Sequence, residues 1–225
     1  MDYLNSEEIE QILAQAEEIE ADEAVAEQLT EAKINIHDIT FADMKNGEDI
    51  GVVLWVAGCS HHCKNCQNPQ TWDPKSGIPF TSWEEAEFYG YIKEDYIKRV
   101  TFTGGDPLFC SNRDVIGKIA KNIKEKYPDK KIWLYTGYSL IKQTEGFKFE
   151  DLSGNGFSYP YLKYIDVLVD GPFMTEIRDS DIKTGKKVPW RGSSNQRVVD
   201  VQASLNKDNV VCRYYDNLGN YQLID

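Results

Sequence analysis

Four short apolar runs, each ending at a glycine-containing loop, constrain this chain more than any other feature. Residues 52–57 end at Gly58-Cys59, and 99–103 ("RVTFT") end at Gly104-Gly105-Asp106-Pro107. Residues 131–135 ("KIWLY") end at Thr136-Gly137-Tyr138, and 165–169 ("IDVLV") end at Asp170-Gly171-Pro172. Short apolar runs bounded by turn formers read as buried strands. Helical patterns over 83–94 and 114–127 lie between some of them. Strands alternating with helices predict an α/β fold with a parallel sheet, in which the loops at the carboxyl ends of the strands form the active site. The four loops therefore point to one place. Residues 145–160, rich in Gly and Ser, read as a longer surface connection.

The first loop, "GCSHHCKNCQNPQTW", holds Cys59, Cys63 and Cys66 in a C-x3-C-x2-C spacing, three of the chain's five cysteines. Five is too few, and odd, for a disulfide framework. The acidic N-terminus "MDYLNSEEIE" lacks the basic start and apolar run of a signal peptide. No apolar run approaches the roughly 18 residues of a membrane span. The expected location is the cytoplasm, where clustered thiols are ligands or catalysts rather than cystines. Structural zinc asks for four ligands, usually in two C-x2-C hooks. Cys110 and Cys212 are isolated, so His61 or His62 would have to complete such a site from the same tight loop. A redox pair of Cys63 and Cys66 leaves Cys59 without a role. A [4Fe–4S] cluster fits better: it is commonly held by four thiolates, and three leave one iron open for a substrate.

Charge divides the chain of 225 residues, whose net charge is −12. Residues 1–32 carry eleven acidic residues and no Lys or Arg, which leaves −1 for the rest. Ile9, Ile12, Leu13, Ala16 and Ile19 lie at helical spacing there, with Asn5 a candidate N-cap and Glu8 three positions later. An acidic helical leader over 1–32 and one domain over 33–225 are expected. Neither part has the basic footprint of a nucleic-acid binder, and no membrane partner is expected.

The cysteine motif resembles that of the radical S-adenosylmethionine (radical SAM) superfamily. "TGGDPL" (103–108), "LYTGY" (134–138), "DVLVDGPF" (166–173) and "RGSSNQRV" (191–198) follow in order. Together with the cysteine loop they are similar to the glycyl-radical-enzyme activating family, in particular the activating proteins of anaerobic ribonucleoside-triphosphate reductase. The resemblance covers roughly residues 34–198. It implies a short or incomplete (β/α) barrel of the radical SAM type. It implies a [4Fe–4S] cluster on Cys59, Cys63 and Cys66, with S-adenosylmethionine chelated to the open iron. The implied reaction is reductive cleavage of that cofactor and formation of a glycyl radical on the large catalytic subunit of anaerobic ribonucleotide reductase, with a flavodoxin-like protein as electron donor.

Within that frame, Gly104 and Gly105 let the backbone approach the cofactor. A carbonyl in 103–106, from Thr103 onward, is expected to accept from the cofactor ammonium, with the Asp106 carboxylate adding charge complementarity. Thr136 is expected at the methionine or ribose part, Asp170 near the sulfonium, and Arg191 at an anion. Each of these stretches also reads as an ordinary turn or solvated loop. His61 and His62 read as loop residues or outer donors, Cys110 as a partly buried thiol, and Trp55, Trp72 and Trp133 as core. Family members commonly carry an Arg in the Gly-rich segment before the first run, whereas this chain has "NGEDIGVVLWVAGC". Two other readings remain open: a different radical SAM activity, or a non-catalytic metal-binding adaptor recruiting partners through its acidic helix.

Overall fold

The computed structural model describes residues 34–216 and 219–225. The helix expected in the leader lies outside the described residues. In chain order the strands are β1 (Asn35–Asp43), β2 (Gly51–Val56), β3 (Ile78–Pro79), β4 (Arg99–Gly104), β5 (Lys131–Tyr135), β6 (Ser139–Lys142), β7 (Phe147–Glu150), β8 (Gly156–Phe157), β9 (Val167–Asp170), β10 (Arg197–Asp200), β11 (Cys212–Tyr215) and β12 (Tyr221–Ile224). The helices are α1 (Ser82–Ile92), α2 (Arg113–Lys126), α3 (Thr175–Thr184) and α4 (Val201–Lys207).

Among the described residues, nine strands form one sheet in the order β12-β11-β10-β9-β5-β4-β2-β1-β3. Its centre, β2-β4-β5-β9, is parallel, and β1 and β10 flank it antiparallel. The four apolar runs of the sequence are these four parallel strands. Parallel strands are buried on both faces, which is why they read as continuous apolar stretches.

The two faces nevertheless differ. Val52, Leu54 and Val56 of β2, Val100 and Phe102 of β4, and Ile132 and Leu134 of β5 join the main core. Alternate residues point the other way, into a row Val53–Thr101–Trp133–Val167 that crosses the sheet in register. Trp133, Val167, Val169 and Val198 form a smaller apolar cluster on this second face. Arg99 and Thr101, both fully buried, add polar groups to it.

Helix α1 opens with a capping box: Thr81 accepts from the Trp83 N–H, and the Glu84 carboxylate accepts the Thr81 N–H at 2.9 Å. Helix α2 buries Ile116, Ile119, Ala120 and Ile123, a stripe at i, i+3, i+4 and i+7 facing the sheet. The stretch 145–160 is not only a surface connection. It contains most of a second, three-stranded sheet, β6-β7-β8, held by the stacked rings of Phe149 and Phe157, 5.7 Å apart, with the Arg113 guanidinium 4.3 Å above Phe157. Aromatic packing against distant residues drives this order, and local composition does not carry it. Among the described residues no helix is long and apolar enough to cross a membrane.

Candidate functional site

The carboxyl ends of the parallel strands deliver their loops to one place. The cysteine loop leaves β2 through Gly58 at φ +98°, where a Cβ would stand 2.8 Å from the Phe109 ring. It closes on itself where the Gly58 and Cys59 N–H groups donate to the Thr71 and Trp72 carbonyls at 2.7 and 3.0 Å. The loop after β4 lies against it backbone to backbone. Gly105 N–H donates to the Val56 carbonyl and Asp106 N–H to the Gly58 carbonyl, both at 2.7 Å. A Cβ on Gly105 would fall 2.5 Å from the Gly58 oxygen, so only glycine permits this approach.

Asn112, at the start of α2, makes no side-chain cap. Its buried amide instead donates to the carbonyls of Ala57 (2.7 Å) and Asp106 (3.0 Å), clamping the two loops together.

Asp106, only 1% exposed, binds three strand ends at once. Its carboxylate accepts the Leu108 N–H (2.8 Å), the Thr136 hydroxyl (2.9 and 3.0 Å) and the Gly137 N–H (3.0 Å), and it pairs with His61 Nε2 (2.8 Å). Burial pulls the His61 pKa down, but the Asp106 hydrogen bond and charge outweigh it and hold the imidazole above its ordinary value. Asp106 and Thr136 both border the cavity, yet their side chains are committed to each other.

Cys59, Cys63 and Cys66 line a cavity of about 360 Å³ together with Thr103, Gly104, Gly105, Asp106, Thr136 and Arg191. Cys66 Sγ accepts from the Asn68 N–H at 3.3 Å. The backbone N–H groups of His61 and His62 oppose the rise of the Cys59 pKa, and that of Phe173 the rise at Cys63. His62 and Asn65 sit in left-handed backbone at φ +45° and +54°, conformations that fold successive N–H groups toward one side. Burial, then the Asp106 charge, pushes the Cys59 thiol up to about 12, and burial also raises Cys63. Binding a metal at such a thiol releases its proton.

Among the described residues no three His, Cys, Asp or Glu side chains converge tightly enough to hold one metal ion. An iron–sulfur cluster makes a different demand, with each thiolate reaching its own iron. Three sulfurs around one cavity meet it.

Asp170 is placed elsewhere. It is fully buried and is not among the residues bordering the cavity. Arg197 Nε donates to one of its oxygens at 2.9 Å and Arg197 Nη2 to the other, which also takes the Leu140 N–H at 2.7 Å. The carboxylate expected beside a sulfonium has an internal cation instead. Arg191 does reach the cavity. One end of its guanidinium donates to the Gln196 carbonyl at 3.1 Å, while its buried Nε has no partner among the described residues. Ser193, Asn195 and Gln196 spend their side chains on the stretch 171–174 and on Gly192, fastening the two segments together.

Sequence reasoning misses the far end of the cavity, which Lys45, Asn46, Trp55, Tyr135 and Trp190 line. The segment 43–50 has no arginine of its own, but Arg99 is threaded into it from β4. Its guanidinium donates to the carbonyls of Asp43 (2.9 Å), Asn46 (2.8 Å) and Glu48 (2.8 Å) and pairs with the Asp43 carboxylate (2.8 Å). Gly47 and Gly51 make room, since a Cβ at either would meet Arg99 at 2.6 or 2.7 Å. Glu48 in turn accepts from Arg213 (3.1 Å) and the Tyr215 hydroxyl (2.7 Å) of β11. Trp55 and Trp72, expected in the core, border the cavity, and Cys110 is exposed.

The model of the 4Fe-4S single cluster domain family matches residues 45–199. The anaerobic ribonucleoside-triphosphate reductase-activating protein of Enterobacteria phage T4 is 38% identical over 165 residues, 73% of this chain and 93% of the phage protein. The protein of that name from Pasteurella multocida is 37% identical over 156 residues, 68% of this chain and 89% of its own. The one from Escherichia coli K12 is 35% identical over 167 residues, 73% of this chain and 97% of its own. On these likenesses, and with its three clustered cysteines on one cavity, the chain belongs to the family of anaerobic ribonucleoside-triphosphate reductase-activating proteins.

Proposed function

We propose that this protein is a radical SAM activating enzyme for anaerobic ribonucleotide reductase. The observation that carries the reading is the cavity in which Cys59, Cys63 and Cys66 face the glycine backbone of residues 103–106. On this reading the three cysteines hold a [4Fe–4S] cluster with one iron left to S-adenosylmethionine. Bound there, the cluster would supply the single electron for reductive cleavage of the cofactor, the chemistry needed to generate a glycyl radical on the large reductase subunit. A flavodoxin-like protein supplies the electron, and the reaction belongs to the cytoplasm.

The chain's own part is to position and to shield. Gly104 and Gly105 present main chain rather than side chains, so carbonyls of 103–105 are available to the cofactor's ammonium, that of Asp106 being taken by the Asn112 amide and the Phe109 N–H. The Asp106 hub holds the loops after β2, β4 and β5 at fixed separation, which is the preorganisation a short-lived radical requires. Arg191 offers a cation to a carboxylate or another anion. The nine-stranded sheet is read as an incomplete (β/α) barrel, its second face turned to the cofactor.

The test is anaerobic. The full chain is reconstituted with iron and sulfide, reduced, given S-adenosylmethionine and assayed for 5′-deoxyadenosine beside Cys63→Ala. Product from the wild type alone supports the reading. One bound zinc, no cluster spectrum and no product would overturn it in favour of a metal-binding adaptor. Radical transfer is then read as a glycyl electron paramagnetic resonance (EPR) signal on the reductase subunit.

A further inference from the structure

Trp72 borders the cavity that holds the three cysteines, and its indole N–H has nothing to donate to among the described residues. Beside it, the Asn68 N–H donates to Cys66 Sγ at 3.3 Å. The Trp72 carbonyl is bonded to the Cys59 N–H at 3.0 Å, so its backbone is fixed to the first ligand. Its indole Nε1 is buried and without a partner among the described residues. The His62 ring meets it edge to face at 4.7 Å between centroids, which restricts the indole's orientation. The other tryptophan of this loop-and-strand pair behaves differently: Trp55 Nε1 donates to the Thr40 hydroxyl at 2.8 Å. Buried indole N–H groups ordinarily find an acceptor, and an orphan calls for one from outside the chain.

We propose that the Trp72 indole N–H donates to a sulfur of the bound cluster, an inorganic sulfide or a cysteine thiolate, and so helps set the cluster's reduction potential. The proposal rests on the cluster reading above. Adding an electron makes the cluster more negative and its sulfurs better acceptors. An N–H donor at sulfur therefore stabilises the reduced form and raises the potential. Trp72 is a positioning and tuning residue in this sense.

The experiment uses the full chain with its tryptophans labelled with ¹⁵N at the indole, reconstituted and reduced without S-adenosylmethionine. Pulsed EPR on the reduced cluster is expected to show a ¹⁵N coupling that Trp72→Phe lacks. The midpoint potential of Trp72→Phe is expected to be more negative at equal iron content. A loaded wild type with no ¹⁵N coupling overturns the proposal, as does an unchanged potential in loaded Trp72→Phe. A coupling that appears only after S-adenosylmethionine is added also overturns it, by giving the N–H to the substrate. Should the variant not load, the wild-type coupling alone decides. A wild type that takes up no cluster at all is a failure of the underlying reading, recognised by its missing iron–sulfur absorbance.

Discussion

Asp106 receives the Thr136 hydroxyl on both carboxylate oxygens, at 2.9 and 3.0 Å, while its own N–H is bonded to Gly58 at 2.7 Å. One residue thus joins the ends of β2, β4 and β5. Asp106→Ala would leave the Leu108 and Gly137 N–H groups, the Thr136 hydroxyl and His61 without their acceptor. Its expected cost is about 2–4 kcal/mol, with Asp106→Asn at the lower end. Urea denaturation of metal-free protein measures it, and a loss below about 0.5 kcal/mol would contradict the role assigned to this carboxylate.

Gly105 tests the contact between loops. Its Cβ would be pressed against the Gly58 carbonyl, a backbone atom that cannot swing aside. Gly105→Ala is expected to destabilise by roughly 1–3 kcal/mol and to lower the iron bound per chain. At Gly90 in α1 an added methyl group would meet nothing within 4 Å. There the same change is expected to stabilise by about 0.5–1 kcal/mol and leave iron content unchanged. Iron and sulfide assays on the two variants separate close approach from generic glycine effects.

The Asp43–Arg99 pair gives a pH dependence. Burial alone would raise the Asp43 pKa. Hydrogen bonds from Asn46, Arg99 and Lys45, with the Arg99 charge, bring it below the ordinary carboxylate value. A depressed folded-state pKa adds stability that is fully present above the unfolded value, about 3.9, and is lost as pH falls through the folded one. Asp43→Asn is expected to cost about 2–4 kcal/mol near neutrality. The gap to wild type should close as pH falls below about 4, and denaturation curves at several pH values that keep it constant would refute this.

The end of the cavity away from the cysteines depends on β11. The Arg213 side chain is 9% exposed and bonds Asp200 at 2.7 and 2.9 Å as well as Glu48. Arg213→Ala is expected to cost about 2–4 kcal/mol and to speed amide exchange in residues 43–50. Glu48→Gln acts on a more exposed partner, and its expected cost is below about 1 kcal/mol. Hydrogen exchange that stays unchanged over 43–50 in Arg213→Ala would show that Arg99 holds the segment alone.

The parts of this architecture visible in the sequence are those with local causes. Residues 99–103 and 131–135 read as strands because both faces are buried, and 114–127 reads as a helix because its apolar residues repeat every three or four positions. Strands β7 and β8, within 145–160, read as surface because they are short and separated by Gly and Ser turns. Arg99 looks like the charged flank of an apolar run, yet it is fully buried, because its acceptors lie about fifty positions earlier. The loop context of Asp170 suggests a place at the site, while its position is fixed by Arg197, a partner that spacing does not reveal. The cysteine loop is legible because its chemistry needs closely spaced ligands. Its N–H surroundings are not, since they depend on left-handed turns at His62 and Asn65.

The link between Glu48 and Arg213 spans 165 positions of the chain. A polypeptide leaving the ribosome can clamp its cysteine loop once Asp106 and Asn112 have emerged. The segment bearing Lys45 and Asn46 gains its second anchor only once Arg213 has emerged, so the far wall of the cavity is among the last parts of the molecule to settle. The order of synthesis thus sets an order of assembly, in which the contacts that hold the cysteine loop can form before those that finish the chamber around it.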